Sequence, residues 1–124
     1  MIDAYAWIEY LDGTARGARV RDLLEDARNT ATTSTVTLAE VLSKFIRNHR
    51  DPVLALKAIE DNTGLESVDI GLAKLAGELH AEQRRKIRDF GLADAFVLAT
   101  ARKKSAKILT GDPHFETIPE TILV

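Results

Sequence analysis

Four acidic residues lie where the chain passes between strand-forming and helix-forming segments, and their positions are the first indication of chemistry. They are Asp3 in "MIDA", Glu40 just after "TATTSTV", Asp94 at the front of "GLADAFVLATA", and Asp112, two residues after Thr110. A buried carboxylate is costly unless it is hydrogen-bonded, paired or bound to a metal. Four converging carboxylates would repel one another, and that repulsion favours a shared hard cation such as Mg²⁺ or Mn²⁺. A centre of this kind suits phosphoryl chemistry, because it acidifies bound water and neutralises phosphate charge.

Each acid also has a local structural explanation. Asp94 falls in the first turn of its predicted helix, where the helix dipole favours an acid. Thr37 and Glu40 have the spacing of a capping box, in which Glu40 would bond back to the helix N-terminus. Asp112 precedes a proline and could cap a turn, whereas Asp3 has only a turn-forming role as its alternative. These explanations do not account for all four acids falling at one edge of the predicted sheet.

The surrounding segments alternate between strands and helices. Predicted strands are "MIDA", "TATTSTV", "LESVDI", "AKILT" and the region around "TILV". Predicted helices are "YAWIEYL", "GTARGARVRDLLEDA", "TLAEVLSKFIRN", "PVLALKAIEDN", "GLAKLAGELHAEQRRKI" and the Asp94 run. This alternation favours an α/β fold with a mainly parallel sheet. Ligands collect at the carboxyl ends of such strands, which is where the four acids are expected.

Composition narrows the class of protein. With 124 residues, of which 45% are hydrophobic and 29% charged, residues 1–124 are expected to form one globular domain. Seventeen Lys and Arg against nineteen Asp and Glu give a net charge of −2, so no global positive field indicates nucleic acid. Cysteine is absent and only three histidines occur, which argues against thiolate or zinc chemistry. We expect no membrane span and no signal peptide, and the cytoplasm as the location.

The segments that carry the acids together resemble a known family. "MIDAYAWIEYL", "TSTVTLAEVL", "GLADAFVLATA" and "ILTGDPHF" are similar, in order and spacing, to the four signature segments of PIN-domain proteins. The similarity is greatest to the VapC-type toxin ribonucleases of prokaryotic toxin–antitoxin pairs, and it covers essentially the whole chain. It implies a three-layer α/β/α sandwich around a mainly parallel sheet and an endoribonuclease that depends on Mg²⁺ or Mn²⁺. It also implies a cognate antitoxin protein and a homodimer.

The resemblance assigns catalytic and metal-binding roles to Asp3, Glu40, Asp94 and Asp112. Asp3 and Asp94 would form the core metal pair, and Asp112 would add a ligand directly or through water. Glu40 would bind a second ion or orient the attacking water. Thr110 matches a position where a hydroxyl residue often supports the site.

Two positions depart from the family pattern. A small hydroxyl or amide residue is common two positions after the first Asp, where this chain has Tyr5. Near the fourth acid the family often has another acid, and this chain has His114 and Glu116. His114 could contact substrate or carry a proton, although a polar surface role is the simpler interpretation.

A basic run lies between two predicted helices and is the candidate for binding substrate. Its cations are Arg84, Arg85, Lys86 and Arg88. A nuclease needs cations for the phosphates that flank the cleaved one. The alternative is a solvated helix end, where Lys and Arg suit the helix dipole.

Other functions remain open at this point. A receiver or phosphatase-like domain would need further acids near the first strand and a Lys after a late strand, and neither is in place. A PIN-like scaffold that binds RNA or protein without catalysis is a second alternative, although no core acid is lost. A housekeeping RNA-processing nuclease is the third.

Overall fold

The computed structural model describes residues 1–124, which form six α-helices, four short strands and one 3₁₀ turn. The helices are α1 (Ala4–Asp12), α2 (Ala15–Glu25), α3 (Thr35–Arg47), α4 (Pro52–Asn62), α5 (Ile70–Gln83) and α6 (Leu92–Lys103). The strands are β1 (Thr32–Ser34), β2 (Gly64–Glu66), β3 (Ile108–Thr110) and β4 (Thr121–Leu123), and the 3₁₀ turn is Pro113–Phe115. None of the helices is both long enough and apolar enough to cross a membrane.

The strands form two parallel pairs that the N-terminal residues join. Strand β1 pairs with β2, and β3 pairs with β4. Between the pairs, Ile2 forms a parallel bridge with Leu109 and donates its amide hydrogen to the Thr32 carbonyl at 2.9 Å. The predicted strand "MIDA" is thus reduced to a single bridge, because α1 begins at Ala4.

Helices cover both faces of this sheet, as the predicted α/β/α sandwich requires. Side chains alternate between the two faces along a strand. Met1 and Ile108 accordingly pack with α5 and α6, whereas Ile2 and Leu109 pack with the buried side chains of α1 to α4. Two hydrophobic cores therefore hold the strand ends in a fixed position, and the acids follow those ends.

Several predicted boundaries differ from the structure, among them the following three. Helix α3 begins at Thr35 with Ser34 as its N-cap, three residues before the predicted cap Thr37. Strand β2 ends at Glu66, because Asp69 caps α5 by accepting from the Leu72 amide at 2.8 Å. Helix α5 ends at Gln83, so the basic run that follows is not helical.

Candidate metal-binding active site

Asp3 is a buried carboxylate held on both oxygens. It follows the Ile2 bridge and is the N-cap of α1, where its Oδ1 accepts from the Ala6 amide at 2.8 Å. Its Oδ2 accepts from the Thr110 hydroxyl, and only 4% of the residue is exposed. Burial raises the pKa of Asp3 to about 7, and the nearby charges of Asp112 and Asp94 add to that effect. Its hydrogen bonds oppose the rise but do not cancel it.

Asp94 and Asp112 lie beside Asp3 on two other elements. Asp94 is in the first turn of α6, and its Oδ2 accepts from the Gly91 amide at 2.8 Å. Asp112 follows β3, and its amide donates to the Thr110 hydroxyl oxygen at 2.9 Å. Burial raises the pKa of Asp94, and the charge of Asp112 acts in the same direction. One hydroxyl, that of Thr110, therefore contacts both Asp3 and the loop that carries Asp112.

His114 lies within this group rather than on the open surface. Its Nδ1 is 2.7 Å from Asp112 Oδ1, which also accepts from the His114 amide at 2.9 Å. Ligand atoms of Asp94, Asp112 and His114 all lie within 4.8 Å of one another. The 3₁₀ turn fixes this arrangement, because Phe115 is fully buried against Phe90 in the core.

Glu40 completes the group from α3 and has no capping role. The N-cap of α3 is Ser34, whose hydroxyl accepts from the Val36 amide at 3.1 Å, so the predicted capping box does not form. The buried Thr37 hydroxyl has no hydrogen-bond partner. Burial of its carboxyl, together with the charges of Asp94 and Asp112, raises the pKa of Glu40 to about 7, although the residue as a whole is exposed.

The donor set fits a hard divalent cation. Burial and neighbouring negative charges raise the pKa of Asp3, Glu40 and Asp94. No Lys or Arg forms an ion pair with these three acids or with Asp112. Repulsion of this kind is relieved when a cation enters. Carboxylate oxygens are the protein ligands that suit Mg²⁺ and Mn²⁺.

The cations of the predicted basic run do not contact the acids of the site. Arg84, Arg85, Lys86 and Arg88 are all exposed. Lys86 is 3.8 Å from Glu82, and Arg88 is 3.8 Å from Asp89. None of the four cations has a hydrogen bond or ion pair with the acids of the site. The hydrogen bond from the Gly91 amide lowers the pKa of Asp94 against the effect of burial, and the nearby His114 and His80 act in the same direction. No local pattern in the sequence indicated His80, because its position depends on a contact between its Nε2 and the Phe90 carbonyl.

Tyr5 borders a groove that Glu40 and Asp112 also line. Its hydroxyl accepts from Arg16, so it does not replace the small hydroxyl expected at that position. A Cβ on Gly111 would lie 2.3 Å from Tyr5 Cε1, which shows how closely the ring covers this glycine. The groove has a volume of about 570 Å³, and Glu40 and Asp112 form part of its wall.

Comparisons with known proteins identify the family and the fold. The family model of the PIN domain matches residues 1–120. Among solved structures, a toxin–antitoxin complex from Klebsiella pneumoniae is 22% identical, with a TM-score of 0.75 and coverage of 98% of this chain and 93% of that chain. No curated protein matched the chain.

Two further solved structures are similar over nearly the whole chain. The Mycobacterium tuberculosis toxin VapC20, described as cleaving the sarcin–ricin loop, is 23% identical with a TM-score of 0.77, covering 95% of this chain and 93% of that chain. VapBC2 from Rickettsia felis, bound to a DNA fragment from its promoter, is 19% identical with a TM-score of 0.75, covering 100% and 96%. At these identities the structures show a common fold.

Proposed function

Because the chain belongs to the PIN domain family, we propose that it is a metal-dependent endoribonuclease, the toxin of a prokaryotic toxin–antitoxin pair. The observation that carries the proposal is the cluster of Asp3, Glu40, Asp94 and Asp112 at one edge of the sheet. A purely structural role does not explain this cluster, since gathered carboxylates destabilise a folded chain that lacks a cation.

The contacts of each residue indicate its role at the proposed metal site. Asp94 and Asp112 would hold the ion together with His114, because their ligand atoms lie within 4.8 Å of one another. Asp3 would add negative charge beside the ion, and the Thr110 hydroxyl orients the Asp3 carboxylate by donating to its Oδ2. A bound Mg²⁺ or Mn²⁺ supplies charge neutralisation at the phosphodiester and an acidified water.

Glu40 would position the attacking water. It reaches the cluster from α3, and none of its carboxylate oxygens accepts a hydrogen bond from the protein. A carboxylate with both oxygens free of protein donors can accept a proton from a water molecule beside it, which is the requirement for a general base.

The toxin role and its partners rest on the family and on the neighbours in fold. Two of those neighbours are described as toxin–antitoxin assemblies, which supports an antitoxin partner for this chain. We propose that the antitoxin covers the acidic site, that the protein forms a homodimer, and that it acts in the cytoplasm. An adjacent reading frame for a small protein with a DNA-binding N-terminus would favour this role over housekeeping RNA processing.

The nuclease proposal is tested by cleavage of single-stranded RNA. Purified protein should cleave with Mg²⁺ or Mn²⁺ and stop when EDTA is added. Asp94→Asn should reduce the rate by about 10²-fold or more, since a neutral amide no longer holds the ion. Its melting temperature should stay level or rise, because the amide oxygen can still accept from the Gly91 amide. Cleavage of equal rate in EDTA would contradict the mechanism, and full activity of Asp94→Asn would remove this residue from it.

A further inference from the structure

The groove beside the acids continues along one face of α3. Glu40, Lys44 and Arg47 all border it. Residues four and seven positions apart lie on the same helix face. With a rise of 1.5 Å per residue, Lys44 lies about 6 Å and Arg47 about 10 Å from Glu40 along the helix axis. Two cations therefore follow the acidic site at successive turns of one helix.

These two cations are available for a ligand. Lys44 and Arg47 are exposed, and neither forms an ion pair within the chain. In the basic run, Lys86 and Arg88 each lie within 4.0 Å of a neighbouring acid, whereas Arg84 and Arg85 have no ion pair. None of the four residues lines the groove, which distinguishes them from Lys44 and Arg47. Free cations beside a site for phosphodiester chemistry complement the charge of a nucleic-acid backbone.

The opposite side of the groove is an aromatic surface. Tyr5 lies against Gly111 at the point where the groove meets Asp112. Arg16 fixes the ring, since it donates to the Tyr5 hydroxyl and its guanidinium carbon is 5.9 Å from the ring centroid. Apolar side chains from α1 and α3, including Ile8 and Val36, line the rest of the groove. An anchored ring beside apolar surface is suited to stacking a base, because every base has a π face.

We infer that this groove holds the RNA strand on one side of the cleaved bond, with Lys44 and Arg47 on its phosphates and Tyr5 against a base. The assignment rests on the proposed nuclease function and moves the substrate contacts from the Arg84–Arg88 run to α3. RNA is favoured over a protein segment because the groove combines unpaired cations with direct continuity to Glu40 and Asp112. The occupant is a single strand, since base stacking on Tyr5 requires an exposed base face.

The test measures binding separately from cleavage. A labelled, mixed-sequence, single-stranded oligoribonucleotide is titrated into full-length Asp94→Asn protein at several salt concentrations. Adding Lys44→Ala or Arg47→Ala should weaken binding and lower the slope of log Kd against log salt by about 0.7, the value for one phosphate contact on a single strand. Lys107→Ala is the matched control, because Lys107 precedes β3 at the edge of the sheet opposite to the acids. It should leave both quantities unchanged.

Tyr5 is tested with a pair of variants. Tyr5→Ala should weaken binding about fivefold or more, the loss of one stacked base, without changing the salt slope. Tyr5→Phe keeps the ring and should lose much less. In the active protein, Lys44→Ala and Arg47→Ala should raise KM more than they lower kcat, because they remove binding rather than chemistry. Melting curves establish that each variant is folded.

Two outcomes separate this inference from the proposed function. RNA binding that depends on Lys44, Arg47 and Tyr5, with no cleavage under any divalent ion, supports the groove and contradicts the nuclease. Metal-dependent cleavage by a protein whose RNA binding is indifferent to all three variants overturns the groove assignment. The groove would then be assigned to a protein segment.

Discussion

A carboxylate has two oxygens, and three of the four acids use one of them on the backbone. Asp3, Asp94 and Asp112 each accept from the amide of a residue two or three positions away. Capping and metal binding are therefore compatible for these three residues. Glu40 differs, because no backbone amide donates to it and the helix it belongs to is capped by Ser34. Of the four acids, Glu40 therefore has the weakest structural explanation.

Glu40→Gln separates an effect on the rate of RNA cleavage from an effect on the stability of the fold. The amide has the size of the carboxyl and no charge, so repulsion from Asp94 and Asp112 is lost and no cap is broken. We expect the free energy of unfolding to change by less than about 0.5 kcal/mol, so the melting temperature should stay level or rise slightly. Cleavage should fall on the order of 10²–10³-fold and recover in part with added Mn²⁺.

The matched control for this substitution is Glu60→Gln. Glu60 is exposed on α4 and has no ion pair, so the same chemical change there should affect neither cleavage nor melting. Wild-type cleavage by Glu40→Gln would reduce the proposed site to the three aspartates.

At the scale of the element, the start of α3 decides where Glu40 points. The sequence predicts Thr37 as the N-cap, and the folded protein uses Ser34 instead. Strand β1 ends at Ser34, so the helix begins as soon as the strand is complete. Thr37 then falls inside the first turn, with its side chain fully buried and its hydroxyl unpaired.

Two substitutions distinguish these caps. Ser34→Ala should lower the free energy of unfolding by about 1 kcal/mol, because the Val36 amide loses its acceptor. Thr37→Val has nearly the same shape and removes a buried hydroxyl without a partner, so stability should stay level or increase. Thermal or urea unfolding of the two variants gives the comparison. If Thr37→Val is the more destabilising change, the helix starts where the capping box would place it.

The helices were predictable because their signals are local. Asp51 followed by Pro52 predicts the N-terminus of α4, and the structure has Asp51 accepting from the Val53 amide at 2.9 Å. The strands are only three residues long, so sequence could locate their regions but not their ends. The orientation of Tyr5 over Gly111 depends on packing between segments more than a hundred residues apart, and no local pattern contains it.

At the scale of the whole molecule, parallel pairing brings the two ends of the chain to one edge. Thr110 donates to Asp3 across 107 positions, and Leu109 donates its amide hydrogen to the Met1 carbonyl at 2.8 Å. Both hydrophobic cores hold this arrangement, since Met1 belongs to one and Ile2 to the other. Packing in both cores therefore fixes the positions of the carboxylates, and the loss of stability from burying them depends on pH.

That dependence gives the last prediction, for protein freed of metal with EDTA. Asp3 has a pKa of about 7 when folded and 3.8 as its ordinary value, so between those values the folded protein keeps a proton that the unfolded chain releases. Each increase in pH within this window then favours unfolding, and the melting temperature should fall as pH rises from about 4 to about 7. Glu40 acts in the same direction. Mg²⁺ or Mn²⁺ added near pH 7 should restore the loss, because it binds only the folded site.

Asp3→Asn identifies the residue responsible for this trend. Its amide oxygen can still accept from the Ala6 amide, but it has no proton to exchange, so the fall in melting temperature should be markedly smaller than in the wild type. The comparison is needed because burial lowers the pKa of the N-terminal amino group of Met1 from 8.0, and that group works in the opposite direction. The same change is present in both proteins and cancels in their difference. If the two profiles are parallel, Asp3 is not the group that titrates, and burial of its carboxylate does not limit the stability of the metal-free fold.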